Sequence, residues 1–440
     1  MKASALKYTV LSWVSGFTML ILLLMPLYGF LTVWAGSMFG HYTAIRLWQE
    51  GLLVLCVVGV LYLIAVDHKI RTHTLSRRLV WTILAYIAIN LIWGAIAYNR
   101  HAVTAKALGY GLIVDVRFPV FFLVTWAVAL RMARLRTHWQ WLVSWPAFIV
   151  VIFGLLQIFI LPHDFLKHFG YGPSTIPIQE TINHNPQYLR IASTLRGANP
   201  LGAYLIIPIS LLTVQLARVK RNWRQALFLV AALVVLFYSF SRSAWIGAAL
   251  SIGIILVISS KSQKIRQLTL VGSGVLLILL AGIFITFAHN ARFQNFVFHT
   301  QSNSQVKSTS DQGHASALRA GLNDLRHDPL GRGPGSAGPA SVYNTGHAPR
   351  IAENFYVQIG QETGWLGLYL FIVINLGVGY LLWLRRSDPL ALSLFASLIG
   401  LTLINMFSHA WADPTLAYVW WGLAGVAMAP LPGASKKDAT

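Results

Sequence analysis

The stretch Arg350–Ile374, RIAENFYVQIGQETGWLGLYLFIVI, starts polar and ends as an apolar helix. Its second half has the composition of a helix that crosses a bilayer. Its first half does not. Glu353 and Asn354 stand side by side at the entrance, and Gln358, Gln361 and Glu362 follow inside the same run. Asn354, Gln358, Gln361 and Trp365 recur at spacings that put them on one helical stripe. Ionisable groups at membrane depth are expensive and usually functional. The stripe therefore predicts a helix whose outer half faces a polar cavity. Gly360, Gly364 and Gly367 predict close approach of another helix to its inner half. An acid near a helix N-terminus is stabilised by the backbone dipole, so Glu353 reads either as a cap or as a site residue.

The rest of the chain agrees with a membrane setting. Of 440 residues, 56% are hydrophobic and only 11% charged, and the mean hydropathy is +0.61. A soluble protein could not hide that much apolar surface. The 16 Trp and 16 Tyr suit aromatic belts at two interfaces. Apolar runs near 9–33, 51–66, 79–97, 108–130, 141–161, 198–217, 225–240, 243–260, 268–288, 353–383, 389–409 and 414–431 give about 12 transmembrane helices. The expected fold is an all-α polytopic membrane protein, one integral membrane domain over 1–440. Lys2 and Lys7 precede an apolar run that lacks a small-residue cleavage site, so it reads as the first span. The single Cys56 excludes a disulfide framework and a cysteine metal site.

A formal charge of +21 raises the question of nucleic acid, and its distribution answers it. Twenty of the 34 Lys and Arg residues fall in short loops and termini on one side of the predicted spans. The positive-inside rule makes that side cytoplasmic and puts both termini there, including a tail at 432–440. No nucleic acid is needed. The other side carries two long segments, 162–197 and 289–352, with Arg190, Arg196, Arg292, Lys307, Arg319, Arg326, Arg332 and Arg350. Arg242 lies in the short outer turn YSFSRSAW. Arginine is disfavoured on that side unless it serves a purpose. An anionic ligand suits the planar fork of donors that guanidinium offers to phosphate.

Within 289–352, Ala315, Leu318, Leu322 and Leu325 recur at helical spacing and predict an amphipathic helix over the outer face. GRGPGSAGP then ends it. That Gly/Pro-rich turn reads either as a linker or as backbone N–H groups aimed at a phosphate. Asp115 and Arg117 interrupt the fourth span and read as partners of each other or of a neighbouring helix, or as site residues. There is no Walker A, HExxH, GxSxG or cysteine cluster, so ATP-driven transport and zinc chemistry have no support. The 14 His are scattered without metal-ligand spacing.

Three stretches together resemble the O-antigen ligase / O-antigen polymerase superfamily of bacterial membrane glycosyltransferases. RIASTLRGANPLGAYL (Arg190–Leu205) is similar to the family's arginine, small residues and helix-opening Asn-Pro. FSRSAWIG (Phe240–Gly247) is similar to its Ser-Arg turn. HDPLGRGPGSAG (His327–Gly338) followed by AENFYVQIGQETGWLGL (Ala352–Leu368) is similar to its glycine turn, polar pair and Glu-x-Gly-x-x-Gly helix. The resemblance covers about 185 to 385.

The resemblance implies a GT-C-like fold with a large extracytoplasmic segment between spans nine and ten, in the bacterial plasma (inner) membrane. It implies a donor glycan on a polyprenyl diphosphate, and a glycan, lipid or protein hydroxyl as acceptor. No metal and no cofactor are implied; arginines neutralise the diphosphate leaving group instead. Arg190 and Arg242 match family arginines and are expected to grip diphosphate. Arg196 stands where the family has a smaller residue, and a diphosphate role for it is inferred from its charge alone. Glu353 stands where ligases carry a histidine, and a carboxylate can also accept a hydroxyl proton. His347 is the alternative base. Asn354, His314 and Arg332 are candidate acceptor or glycan contacts. The glutamate in place of histidine leaves a polysaccharide polymerase open beside a ligase. From another class, a lipid or glycan transporter would use Asp115, Arg117 and Glu362 as a path, but no inverted repeat or pair of broken helices is visible in the sequence.

Overall fold

A computed structural model describes residues 2–178, 180–182, 185–218, 222–260 and 310–430, with 263 and 267 singly. The run expected as a span at 268–288 and the tail at 432–440 lie outside the described residues. In chain order the helices are α1 (Lys2–Leu24), α2 (Tyr28–Phe39), α3 (Tyr42–Ile45), α4 (Trp48–Val66), α5 (His68–Leu75), α6 (Arg78–Asn99), α7 (Ala105–Ala129), α8 (Ala133–Thr137) and α9 (Trp139–Phe159). A two-stranded hairpin follows, β1 (Glu180–Ile182) and β2 (Asn185–Arg190). Then come α10 (Ala198–Arg218), α11 (Trp223–Tyr238), α12 (Arg242–Ser259), α13 (Ser310–His327), α14 (Phe355–Leu384), α15 (Pro389–Asn405) and α16 (Pro414–Ala427).

Among the described residues, eight helical segments are long and apolar enough to cross a membrane, and α11 and α15 are shorter apolar helices. The protein is an all-α polytopic membrane protein. Backbone polar groups have no water to bond in a bilayer, so each span satisfies its own as a helix. The centre of the bundle is α16 packed along α7. Its aromatic rings interlock: Phe118 with Trp421 at 5.0 Å, Trp420 with Trp421 at 5.1 Å, and Trp411 with Trp420 at 5.3 Å between centroids. The indole N–H of Trp420 donates to Ser397 Oγ at 3.0 Å, which satisfies one polar group in that apolar core.

Two spans are broken, which the sequence reading did not expect. The first breaks at Met25–Leu27, where Pro26 cannot continue the helical ladder. The other is α14, whose Gly364 sits at φ 68°. Both breaks are filled by loops that fold back onto them. Thr194 Oγ1 donates to Pro26 O at 2.8 Å, and Phe30 N to Thr194 O at 3.1 Å. At the second, Trp365 N donates to Pro329 O at 3.0 Å and Gly333 N to Glu362 O at 2.7 Å. The freed backbone groups are re-satisfied by loops, so these breaks seat the loops around Thr194 and Pro329–Gly333 on the bundle.

The polar stripe of α14 differs from expectation in the same place. Gln358, Gln361 and Glu362 are almost fully buried, while Trp365 is 53% exposed because the Gly364 kink turns it off the stripe. The stripe does not line an open cavity. It holds down the glycine turn and α13. Of the three glycines, Gly360 takes Leu325 of α13 against its backbone and Gly364 makes the kink, but the side chain nearest Gly367 is Thr363 of its own helix. The amphipathic helix is present as α13, with a shifted face: Gly321 and Leu325 are buried and Leu322 is exposed. Asp115 and Arg117 do not pair with each other. Arg117 reaches Glu50 at 3.4 Å on α4 and also bonds Ala412 O, while the Asp115 carboxyl lies against Glu362.

Candidate functional site: an arginine-walled pocket

The segment RIASTLRG between β2 and α10 explains how two arginines come to share a wall. Its small residues slip between helices. Ser193 N–H donates to Gln157 Oε1 at 2.8 Å and its hydroxyl to Val150 O at 2.7 Å, both on α9. Leu195 is fully buried. With the middle pinned, Arg190 and Arg196 are held at either end of the insertion, and both line one pocket. The pocket holds about 300 Å³. Its other walls carry apolar side chains from the end of α9 (Ile158), the following loop (Phe165, Leu166) and the turn before α12 (Tyr238, Phe240), with Gln157, His163 and Glu180 among them.

Arg190 is placed by three acceptors. Its Nε donates to Ser239 O at 2.9 Å, its Nη2 to Asn199 Oδ1 at 2.6 Å, and its Nη1 lies 3.5 Å from Glu180 Oε2. Burial lowers its pKa; Glu180 opposes this and the nearby Arg242 adds to it. Arg242 is thus within electrostatic reach of Arg190. It opens α12, two residues past the pocket-lining Phe240. Burial also works against the charge on Arg196, but Tyr110, Asp413, Tyr28 and Tyr42 outweigh it and raise its pKa. The three arginines expected to act together therefore gather at one end of the bundle.

Glu180 is the residue that sequence reasoning missed. It lines the pocket beside the arginines. The hairpin register pairs it with Arg190, and its Oε2 also accepts from Ala198 N at 3.3 Å at the start of α10. One signal was available: ETINHNPQYLR has an Asn-rich turn between short runs, and closing it as a hairpin sets Glu180 opposite Arg190 as an oppositely charged cross-strand pair.

The remaining candidates do not line this pocket. Glu353 precedes α14 with φ 51°. Asn354 caps that helix: its Oδ1 accepts from Val357 N at 3.0 Å and its Nδ2 donates to Met406 O at 3.0 Å. Both ends of its amide are thus taken by backbone. His347 is exposed in the loop before α14. Arg332 is exposed and paired with Asp328, Nε to Oδ2 at 2.7 Å. His314 lies on α13, in the turn that opens the helix. The glycine turn does not present its N–H groups to solvent: Gly335 N donates to Glu362 Oε1 at 2.7 Å and Ala337 N to the same oxygen at 3.4 Å. Among the described residues, no group of three or more His, Cys, Asp or Glu is placed to hold a metal ion.

Among the described residues, five non-glycine residues have positive φ, and three of them are at or near site candidates: Ser193, Phe240 and Glu353, at 49°, 50° and 51°. Such backbone costs about 1–3 kcal/mol each and persists only where its surroundings enforce it. Here it bends the chain sharply beside Arg190, beside Arg242 and at the start of α14.

The fold and this pocket define a multi-pass membrane protein with a cationic cleft at one end of its bundle. Residues 226–372 match the family described as O-antigen ligase, which supports the resemblance to the O-antigen ligase / polymerase superfamily. The matched stretch holds Arg242, His314, Arg332, His347, Glu353 and Asn354, while Glu180, Arg190 and Arg196 precede it. No curated protein matches the chain.

Proposed function

We propose that the protein is an O-antigen ligase-like glycosyltransferase. It moves a glycan from a polyprenyl diphosphate carrier to an acceptor hydroxyl at the outer face of the bacterial plasma membrane. The observation that carries this reading is the pocket, which sets Arg190 and Arg196 beside an apolar surface of Ile158, Leu166 and Phe240, with Gln157, His163 and Glu180 also in its lining. A lipid diphosphate has the matching two ends. Its oxygens only accept hydrogen bonds, which guanidinium donors supply in pairs. Its polyprenyl chain is apolar and suits the walls near Ile158, Leu166 and Phe240.

In the proposed reaction the acceptor hydroxyl loses its proton to a base, Glu353 or His347. The oxygen then bonds to the anomeric carbon as the bond from that carbon to the diphosphate oxygen breaks. The electron pair leaves with the diphosphate, so negative charge grows where Arg190, Arg242 and Arg196 stand. Fixed cations there lower the barrier without reorganising. Attack from the side opposite the leaving group inverts the anomeric centre. Arginines take the part of a divalent cation, so the reading is metal-independent. Because Glu353 and His347 lie outside the pocket lining, the acceptor would enter from the α14 side.

Transfer assayed in nanodiscs with a lipid-linked glycan tests this. Arg190→Ala and Arg242→Ala should each lower transfer by about 10²-fold or more, the cost of losing one preorganised donor at a developing anion. Wild-type rates in both variants would sink the reading. The glutamate at position 353 favours a second reading, a polymerase of the same superfamily. Single repeat units on the surface of a deletion strain would mean polymerase. Lipid-linked polymer accumulating beside a bare acceptor would mean ligase.

A further inference from the structure

The end of the bundle opposite the arginine pocket gathers a second set of cations. Arg136, on α8, is 4% exposed. One of its nitrogens bonds Asp388, at the start of α15, but its Nε and Nη1 have no acceptor. Arg385 closes α14, and its Nη1 donates to Ala427 O at 3.0 Å at the end of α16. Burial, then Arg136 and Arg77, lower its pKa, and only Asp388 opposes them. His73 on α5 responds in the same way: burial, then Arg77, Arg385 and Lys69, hold its imidazole below the ordinary value. Its ring meets Trp126 edge-on at 6.3 Å, and Trp126 is 3% exposed with its indole N–H unpartnered.

Two features of this patch point the same way. Among the described residues, Arg136 and Arg385 have one carboxylate between them, Asp388. The unmet groups on Arg136 and Trp126 are donors. Buried donors without acceptors are rare in native proteins and call for a ligand or water. A group that only accepts and carries negative charge would satisfy both features. Basic pockets between transmembrane helices on the cytoplasmic side take anionic lipid head groups. Solvated loop arginines of the positive-inside kind need no partner, but Arg136 is not solvated.

We infer that Arg136, Arg77, Arg385 and His73 form a phosphate-binding site that takes the headgroup of an anionic phospholipid from the leaflet opposite the arginine-walled pocket. The lipid source is favoured over a free anion because the patch is built from the ends of membrane helices and backed by Trp126. This inference stands apart from the proposed transferase reading and uses none of its residues.

The test is lipid retention by the delipidated full-length protein, read by native mass spectrometry and by thermal unfolding. Phosphatidylglycerol, phosphatidylcholine and inorganic phosphate are added separately at equal concentration. The expected result is retention of phosphatidylglycerol with a raised Tm, and little effect of phosphatidylcholine. Arg77→Gln/Arg385→Gln, at two partly exposed positions, should lose at least about fivefold in phosphatidylglycerol affinity and most of the rise in Tm that the lipid gives, each read against the variant's own unliganded Tm. Arg136→Gln should lose as much if it folds, and the double variant decides the matter if it does not. Equal binding of both lipids, or undiminished phosphatidylglycerol binding by the double variant, would overturn the site. Equal protection by inorganic phosphate would overturn the lipid assignment.

Discussion

Glu180 and Arg190 face each other across the β1–β2 ladder, and their charged ends lie 3.5 Å apart inside the pocket. Glu180 lies between an arginine and the first turn of α10, which under the proposed function is the seat of a phosphate. In that reading the donor must displace Glu180. Its side chain is 37% exposed, so solvent screens the pair and little energy is at stake, about 0.5–1 kcal/mol. Glu180→Gln should accordingly tighten binding of a polyprenyl diphosphate by about two- to fivefold, read as a lower KM or Kd. Weaker binding would mean that Glu180 supports the ligand instead of competing with it. Glu362 differs because it is wholly buried and accepts from Gly335 and Ala337. Glu362→Ala leaves two buried N–H groups without an acceptor and should cost about 2–4 kcal/mol in unfolding free energy. Glu362→Gln keeps an oxygen for them and should cost less than half as much. Equal losses in thermal unfolding would show that this oxygen is not what holds the turn.

At the scale of elements, the loop between α13 and α14 is seated by backbone more than by side-chain packing. The turn from Pro329 to Gly338 fills the break in α14 and then runs against α7, where Gly335 meets Ala107 and Gly111 backbone to backbone. Gly335 has φ 88°, a region L side chains rarely adopt, and a Cβ there would strike the backbone of Ala107. Gly335→Ala should therefore cost at least about 1–2 kcal/mol from backbone conformation alone. It should also raise proteolysis between α13 and α14; an unchanged digestion pattern and Tm would show that the turn is not seated this way. This element also marks where sequence reading stops. The spans were legible because bilayer length and apolar composition are local properties. The gathering of Arg190, Arg196 and Arg242 was legible because arginine on that side of the predicted spans breaks a charge rule. The burial of Gln358, Gln361 and Glu362 was not. A polar stripe facing a cavity and one facing a folded-back loop have the same spacing, and only the path of residues 328–338 separates them. Glu180 was missed because its partner is set by a hairpin register, and short strands carry little periodicity.

Across the whole molecule, the end opposite the arginine pocket is tied together by carboxylates that each serve several elements. Asp67 is the clearest. It caps α5 by accepting from Lys69 N at 2.9 Å and Ile70 N at 3.2 Å. It also binds Lys7 of α1 at 2.9 Å and Arg131, just past α7, at 2.6 Å. One side chain thus joins the first helix to the loop after α4 and to the end of α7. Burial by itself would raise its pKa, but the bonds from Arg131, Lys7 and Ile70 outweigh it and hold the carboxyl well below the ordinary carboxylate value. A lowered folded pKa means that the unfolded chain binds the proton first as pH falls. The stabilisation is therefore fully present above the unfolded value of about 3.9 and is lost only as pH drops through the folded one. Asp67→Asn should lower stability at pH 7 by about 1–3 kcal/mol, the cost of removing one partner from buried hydrogen bonds. Thermal unfolding of the two proteins side by side should show the same gap at pH 7 and pH 5, narrowing only below about pH 4. A gap that closed between pH 7 and pH 5 would mean the carboxylate takes its proton early. The three-way tie between α1, α5 and α7 would then not depend on its charge.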